Sequence, residues 1–193
     1  MMVGLPNDTY DKVVHTAKEF VKIKPDYVRI YPVLVIKDTK LEEMLNNREY
    51  KALNIEETIE IVKKVFLLLT YNNIKVIRIG LQATYEINYN ESIVGGPFHP
   101  SFGELIFSRL YRDFIELMIK ENSLKAGIIV EVNNSLVSQI IGNKKQNLTY
   151  FKENFDADIK VKTSNLIDID HIKIGSNIIN KNQIYENLLR IYF

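Results

Sequence analysis

Residues 27–39 read YVRIYPVLVIKDT, and the predicted fold of the first half of the chain is built around this stretch. The apolar run at residues 28–36 is typical of a buried β-strand. A polar turn follows, in which Thr39 stands three positions before Glu42. That spacing is a capping box, whose two side chains bind free backbone N–H groups at the start of a helix. The stretch therefore predicts a strand that leads directly into a helix.

Two more strands, each separated from this one by helical segments, flank the opening stretch. Residues 1–5 are strand-like, and the polar residues 7–9 can start a helix that ends at Pro25. A long helix is predicted from residue 55 to about residue 70, and residues 74–81 form the third strand. Apolar strands that alternate with helices are typical of parallel sheets covered on both faces. We therefore expect an α/β fold with a parallel sheet.

The second half of the chain has a different order of elements. A long loop, residues 82–100, precedes a helix that is predicted for residues 101–121. Beyond it, strands are predicted at residues 126–132, 158–163 and 169–174, and helices at residues 134–141, 145–155 and 181–192. We place a domain boundary after residue 122, which gives domains 1–122 and 123–193, the second a small α+β domain.

The composition limits the chemistry that the chain can perform. The 193 residues include no Cys, so there is no disulfide and no thiolate metal site, and the three His are widely spaced. We predict no metal-binding and no catalytic residue. The net charge of +1 indicates no particular partner. No signal peptide and no apolar run of about 18 residues is present, so we expect a cytoplasmic protein without a membrane span.

Four segments of the first half carry a family resemblance. They are MMVGLPNDT at residues 1–9, YVRIYPVLVIKDTKLEEML at 27–45, IKVIRIGLQAT at 74–84 and ESIVGGPFHPSFGEL at 91–105. In this order they resemble radical S-adenosylmethionine (SAM) enzymes, in particular the group of the Elongator catalytic subunit and bacterial iron-sulfur oxidoreductases. Asn7 and Asp38 stand where that group commonly has Gly. The resemblance implies half of a (β/α)6 partial barrel, with three parallel strands and their helices.

The same resemblance implies roles for single residues. Tyr31, Arg78 and Gln82 would bind the cofactor, and Glu91 and His99 would lie on the substrate side. Arg78 also has a structural interpretation as part of a core salt bridge, and Tyr31 as a packing residue. The family uses SAM and a 4Fe-4S cluster, but its Cys-x-x-x-Cys-x-x-Cys loop has no counterpart here. We therefore expect no cofactor to be bound by this chain alone, and its status as an enzyme stays open.

A second resemblance lies in residues 137–148, VSQIIGNKKQNL. This segment resembles the core of the RNA-binding K-homology (KH) domain, in which two helices and a Gly-x-x-Gly loop hold a nucleic-acid backbone. Lys145 stands in place of the second Gly. The residues that would contact nucleic acid are Gly142, Lys144, Lys145, Lys160 and Lys162. The alternative is a KH-like fold that serves only packing.

Two function classes follow from these patterns. The first is a truncated or split radical SAM protein that holds the SAM and substrate side of the barrel and is inactive alone. Half a barrel exposes a sheet edge and an inner face, so we expect a homo-oligomer or a pairing with a missing amino-terminal half. The second is a module that binds RNA or protein through the KH-like domain.

Overall fold

The computed structural model describes residues 1–81, 92–122 and 127–193. The chain divides into two compact units, residues 1–103 and residues 104–193, which we call unit 1 and unit 2. The boundary that the sequence predicts after residue 122 lies at the end of a long helix, whereas the observed division lies near the start of that helix. Among the described ranges, no helix has both the length and the apolar character that a membrane span needs.

Unit 1 is a parallel three-stranded sheet with helices, as the sequence predicts. Its elements are β1 (Met2–Val3), α1 (Tyr10–Ile23), β2 (Tyr27–Pro32), β3 (Val35–Ile36), α2 (Lys40–Asn46), α3 (Ile55–Tyr71), β4 (Lys75–Ile79) and β5 (Ile93–Gly95). The strand order is β1-β2-β4, and both neighbouring pairs are parallel. A 21-residue helix, α4 (Phe102–Asn122), starts at the end of this unit.

Local side-chain chemistry sets the helix starts. Asn54 accepts the N–H of Glu57 at 2.9 Å, and the Glu57 carboxylate accepts the N–H of Asn54 at 2.8 Å, which completes the predicted capping box of α3. At α2, Thr39 caps as predicted, but Glu42 accepts the N–H of Asp38 at 2.6 Å, one residue earlier than expected. These bonds satisfy N–H groups that have no partner within the helix.

The prediction of one continuous strand over residues 28–36 is wrong. The first strand, β2, ends at Pro32, which has no N–H group with which to continue the ladder. The chain then changes partner, because β3 pairs antiparallel with β5, a strand that lies within the segment predicted as a loop. Val33, Val35 and Tyr50 form a small core beneath this pair, against Leu41, Met44, Leu45 and Ala52.

Within the described residues of unit 1, helices cover one face of the parallel sheet, whereas the expectation was cover on both faces. Val28, Ile30 and Pro32 of β2 are buried, whereas Tyr27 and Arg29, which alternate with them, are exposed. On the covered side, α1 packs against α3 and α3 contacts β4. The uncovered side is described below as the open face.

Unit 2 is a mixed four-stranded sheet with helices, and its elements follow the predicted order. After α4 they are β6 (Ile128–Val132), α5 (Val137–Ile141), α6 (Gln146–Phe155), β7 (Ile159–Thr163), β8 (His171–Ile174), β9 (Asn177–Asn180) and α7 (Lys181–Tyr192). The strand order is β7-β6-β8-β9. Strand β6 is parallel to β7 and antiparallel to β8, and β8 forms a hairpin with β9, which the sequence analysis missed.

A buried amide connects three helices of unit 2. Asn147, at the start of α6, is 1% exposed. Its Nδ2 group donates to the carbonyl and the hydroxyl of Ser108 on α4, at 3.1 and 3.0 Å. It also donates to the carbonyls of Gln139 and Ile140, at 3.3 and 3.1 Å, near the end of α5. One side chain therefore satisfies carbonyl groups that the short helix α5 leaves without an intrahelical partner.

Candidate functional site

The open face of the parallel sheet carries the residues that the sequence assigns to the cofactor. We define it by six side chains that share this side of the sheet: Met2, Tyr27, Arg29, Tyr31, Lys75 and Arg78. Pairing between strands places Tyr31 beside Met2, Arg29 beside Arg78, and Tyr27 beside Lys75. The Lys75 Nζ atom lies 5.9 Å from the centre of the Tyr27 ring. Three cations and two phenols thus share one surface, and these six described side chains include no acid.

Arg78 lies on this face beside an arginine that the sequence analysis missed. Arg29 and Arg78 are both exposed, and neither has a hydrogen-bond or ion-pair partner for its guanidinium among the residues that the structure describes. The alternative of a core salt bridge at Arg78 is therefore not found within these residues. Arg29 could have been identified from the alternation of YVRIYP, which places residues 27, 29 and 31 on one side of a strand.

A shallow depression of about 10 Å³, roughly the room of one water molecule, lies at the carboxyl ends of β2 and β4. It is lined by Pro32, Leu34, Gly80, Leu81, Pro97, Phe98, His99 and Phe102. His99 is half-buried there, and its Nδ1 atom accepts the N–H of Ser101 at 3.1 Å. The carboxyl ends of parallel strands are the usual ligand side of α/β sheets. Gln82 and Glu91, also predicted for this region, lie outside the described residues.

The residues present do not fit an iron-sulfur cluster. The chain contains no Cys, and the described residues include no group of three or more His, Asp or Glu side chains that could hold a metal ion. Clusters of this type are held by Cys thiolates. The open face, in contrast, fits a ligand that carries an anionic group, because the charged side chains described on it are cationic.

In unit 2, the loop between α5 and α6 has the backbone geometry of a glycine-rich turn. Gly142, Lys144 and Lys145 all have positive φ, at 78°, 48° and 64°. A left-handed backbone normally favours Gly, so Lys145, which stands in place of the second Gly of the predicted motif, has a conformation that Gly adopts without strain. Lys144 and Lys145 are both exposed. The structure therefore brings these three predicted residues together at one turn.

The other two predicted lysines lie on a different surface. Lys160 and Lys162 belong to β7, the edge strand of the sheet, where they alternate with Ile159 and Val161. Helices α5 and α6 pack against β7, and Ile159 is buried. Because successive side chains of a strand point to opposite faces, Lys160 and Lys162 lie on the face away from these helices. The five residues that the sequence assigns to nucleic-acid binding therefore do not lie on one continuous surface.

A second charged cluster in unit 2 joins α4 to α6. The Tyr150 hydroxyl donates to Glu116 at 2.7 Å, and the Arg112 guanidinium lies 4.3 Å from the centre of the Tyr150 ring. Burial and the neighbouring Glu116 carboxylate raise the pKa of Tyr150 to about 12. Burial alone would raise the pKa of Glu116. Hydrogen bonds that Lys120 and Tyr150 donate to its carboxylate outweigh this effect, so the pKa of Glu116 lies below its ordinary value. At neutral pH, Glu116 is therefore a charged acceptor and Tyr150 a neutral donor, an arrangement that suits a structural role.

Comparison with known proteins supports the family resemblance of unit 1. Residues 25–112 match the family described as the Radical_SAM C-terminal domain. An uncharacterised protein of Methanocaldococcus jannaschii is 37% identical over 62 residues, which cover 32% of this chain and 19% of that protein. A tRNA uridine(34) acetyltransferase of the same organism is 42% identical over 65 residues, which cover 32% of this chain and 12% of the enzyme.

The similarity extends to a mammalian protein. Elongator complex protein 3 of Bos taurus is 32% identical over 72 residues, which cover 36% of this chain and 13% of that protein. The chain thus covers less than one fifth of the length of each of these three relatives.

Proposed function

Because residues 25–112 belong to the Radical_SAM C-terminal domain family, we propose that the chain supplies the part of a radical SAM active site that holds no cluster ligand. The family match carries this proposal, and it confirms the resemblance found in the sequence. The cysteines that bind a 4Fe-4S cluster come, in this proposal, from a different polypeptide segment, since these 193 residues contain none. The chain is then inactive without that segment.

The arrangement of unit 1 supports this proposal. The open face carries Tyr31 and Arg78, which we assign to the ligand side of the sheet. The depression beside His99 lies at the carboxyl ends of β2 and β4, where ligands of α/β sheets usually bind. Substrate binding and orientation are the tasks that these residues can perform without a cluster.

Reconstitution of the chain with iron and sulfide under anaerobic conditions tests this function. We expect the chain to retain neither iron nor sulfide after gel filtration and to leave added SAM uncleaved. The control is a cysteine-containing radical SAM enzyme that is treated in parallel and must take up a cluster. Uptake of stoichiometric iron and sulfide by this chain, followed by SAM cleavage, would show that it forms a complete active site and would contradict the proposal.

A second function is favoured by the turn between α5 and α6, and we propose RNA binding by this turn as the alternative. The left-handed conformation of Lys144 and Lys145 exposes two ammonium groups next to Gly142. The order strand, helix, turn, helix, strand, with β6 parallel to β7, is compatible with a KH-like arrangement. Ammonium groups at such a turn bind phosphate, and their contribution falls as the salt concentration rises.

The placement of the lysines makes this alternative testable by two matched double variants. If RNA binds at the turn, Lys144→Glu with Lys145→Glu lowers affinity for a single-stranded RNA by about tenfold or more at low salt. The matched variant, Lys160→Glu with Lys162→Glu, lies on the other face of the sheet and should lower the RNA affinity much less. Lys18→Glu with Lys22→Glu on α1 controls for net charge. Equal losses from all three pairs, measured by fluorescence anisotropy, would indicate unspecific attraction and contradict binding at the turn.

A further inference from the structure

We propose that Arg29 and Arg78 form a binding site for a phosphate group on the open face, and that the ligand is a nucleotide. This inference extends the proposed function, because it rests on the sheet face that is assigned there to the ligand side. The two residues are direct neighbours on adjacent parallel strands, β2 and β4. Adjacent strands lie about 4.8 Å apart, so the two guanidinium groups can reach one small anion.

Among the described residues of the open face, no acidic side chain compensates the charge of this pair. Like charges that lie directly opposite each other on neighbouring strands destabilise a sheet. In the described part of the chain, neither guanidinium has a carboxylate partner, and Lys75 adds a third positive charge to the same face. The whole chain has a net charge of only +1, so this positive charge is local. A bound anion would remove the repulsion, and the face is therefore more complete with a ligand than without one.

The charge of the pair favours phosphate over carboxylate. A carboxylate can accept hydrogen bonds from two guanidinium groups, but its single negative charge balances only one of them. A phosphate monoester has three terminal oxygens and a charge between about −1.5 and −2 near neutral pH. It can therefore accept bonds from both arginines and balance most of their charge. The planar donor fork of Arg suits this geometry better than the single ammonium of Lys.

Two tyrosines place aromatic surface on either side of the pair. Tyr27 and Tyr31 stand two residues before and after Arg29, on the same side of β2. At about 3.3 Å per residue, each lies roughly 6.6 Å from Arg29 along the strand. Tyr27 is 60% exposed, so its ring is open to solvent. A base that stacks on one of these rings can belong to a nucleotide whose phosphate lies between the arginines.

Calorimetric titration of the full chain at low salt tests the site. The ligands are 5′-AMP, inorganic phosphate, adenosine, and S-adenosylhomocysteine, which has a carboxylate and no phosphate. We expect 5′-AMP to bind at least about tenfold more tightly than adenosine. Arg29→Gln and Arg78→Gln should each weaken 5′-AMP binding by about tenfold, and the double Gln variant that combines them should weaken it further. The double variant Arg29→Lys with Arg78→Lys keeps both charges and should weaken binding by about threefold to tenfold. Arg190→Gln, which removes an exposed arginine of α7, should have no effect.

Three results would overturn the proposal. They are an absence of 5′-AMP binding to the unmodified chain, 5′-AMP affinity that is unchanged in the double Gln variant, and S-adenosylhomocysteine binding that depends on both arginines as strongly as 5′-AMP binding. Arg78→Glu provides a check that does not depend on lost folding, because it places opposite charges beside each other. This variant should melt at a higher temperature and no longer bind phosphate. Failure of these tests would leave the iron and SAM experiment, and the function that it examines, unaffected.

Discussion

Replacement of Asn147 by Asp is expected to lower the free energy of unfolding of unit 2 by about 3–5 kcal/mol at pH 7. The Nδ2 group of Asn147 shares its two N–H donors among four interior oxygen atoms, two on Ser108 and one each on Gln139 and Ile140. An ionised Asp has the same shape but no donor, and it places a negative charge against backbone carbonyls. The loss should be measured by urea denaturation of the full chain, with NMR signals of unit 2 as the probe.

Two further variants separate the parts of this effect. Asn154→Asp makes the same change on the same helix at an exposed position, where the amide donates to the carbonyl of Tyr150. Its expected cost is below about 0.5 kcal/mol. Asn147→Leu removes the donors without adding a charge, so its loss of free energy of unfolding should lie between those of Asn147→Asp and Asn154→Asp. If Asn147→Asp costs no more than Asn154→Asp, the buried amide does not hold the three helices together as described.

Replacement of Gly96 by Ala is expected to destabilise unit 1 by about 2–4 kcal/mol. Gly96 follows β5 with φ of +100°, a conformation that side chains other than Gly rarely adopt. A Cβ atom there would lie 2.7 Å from the carbonyl oxygen of Val33 and 3.1 Å from the Cα atom of Leu34. Both are backbone atoms, so relief requires the β3–β5 pair to move away from the end of β2.

Gly103→Ala is the matched control for this prediction. It also adds one methyl group in unit 1, but Gly103 lies in the first turn of α4, and the new Cβ atom would meet the Ile79 carbonyl at an ordinary 3.7 Å. Stability should stay the same or rise by up to about 0.5 kcal/mol, because Ala favours helix more than Gly. Thermal melting followed by circular dichroism compares the two variants. If the Gly96→Ala chain melts at the same temperature as the Gly103→Ala chain, that result would contradict the close approach of the two backbones.

The sequence predicts the helices of this chain well because their signals are local. Asn54 and Glu57 lie within four residues of each other and form the capping box that their spacing predicts. The terminal helix likewise covers the predicted residues. The strands are harder, because an apolar run shows burial but not the pairing partner. Pro32 marks a position at which β2 can end, but the composition of residues 28–36 does not show that the chain then changes partner from β1 and β4 to β5.

The candidate sites show the same limit. The family resemblance identifies Tyr31 and Arg78. Alternation along β2 places Arg29 on the side of Tyr31, but Arg29 lies beside Arg78 only through the register of β2 and β4, which shifts by one residue at Val28 and Arg29. A register shift depends on packing and cannot be read from one strand alone. In unit 2, the sequence groups Lys145 with Lys160 because both belong to the KH-like pattern. Only the alternation of β7 relative to its helices separates them.

The position of β7 at the edge of its sheet has a consequence for solubility. One side of this strand pairs with β6, and the other side has no neighbouring strand among the described residues. An edge of this kind can recruit a strand from another molecule and start aggregation. Lys160 and Lys162 oppose that event, because a second copy in register would bring like ammonium groups together. Variants that neutralise both lysines should therefore self-associate more readily, whatever ligand the chain binds.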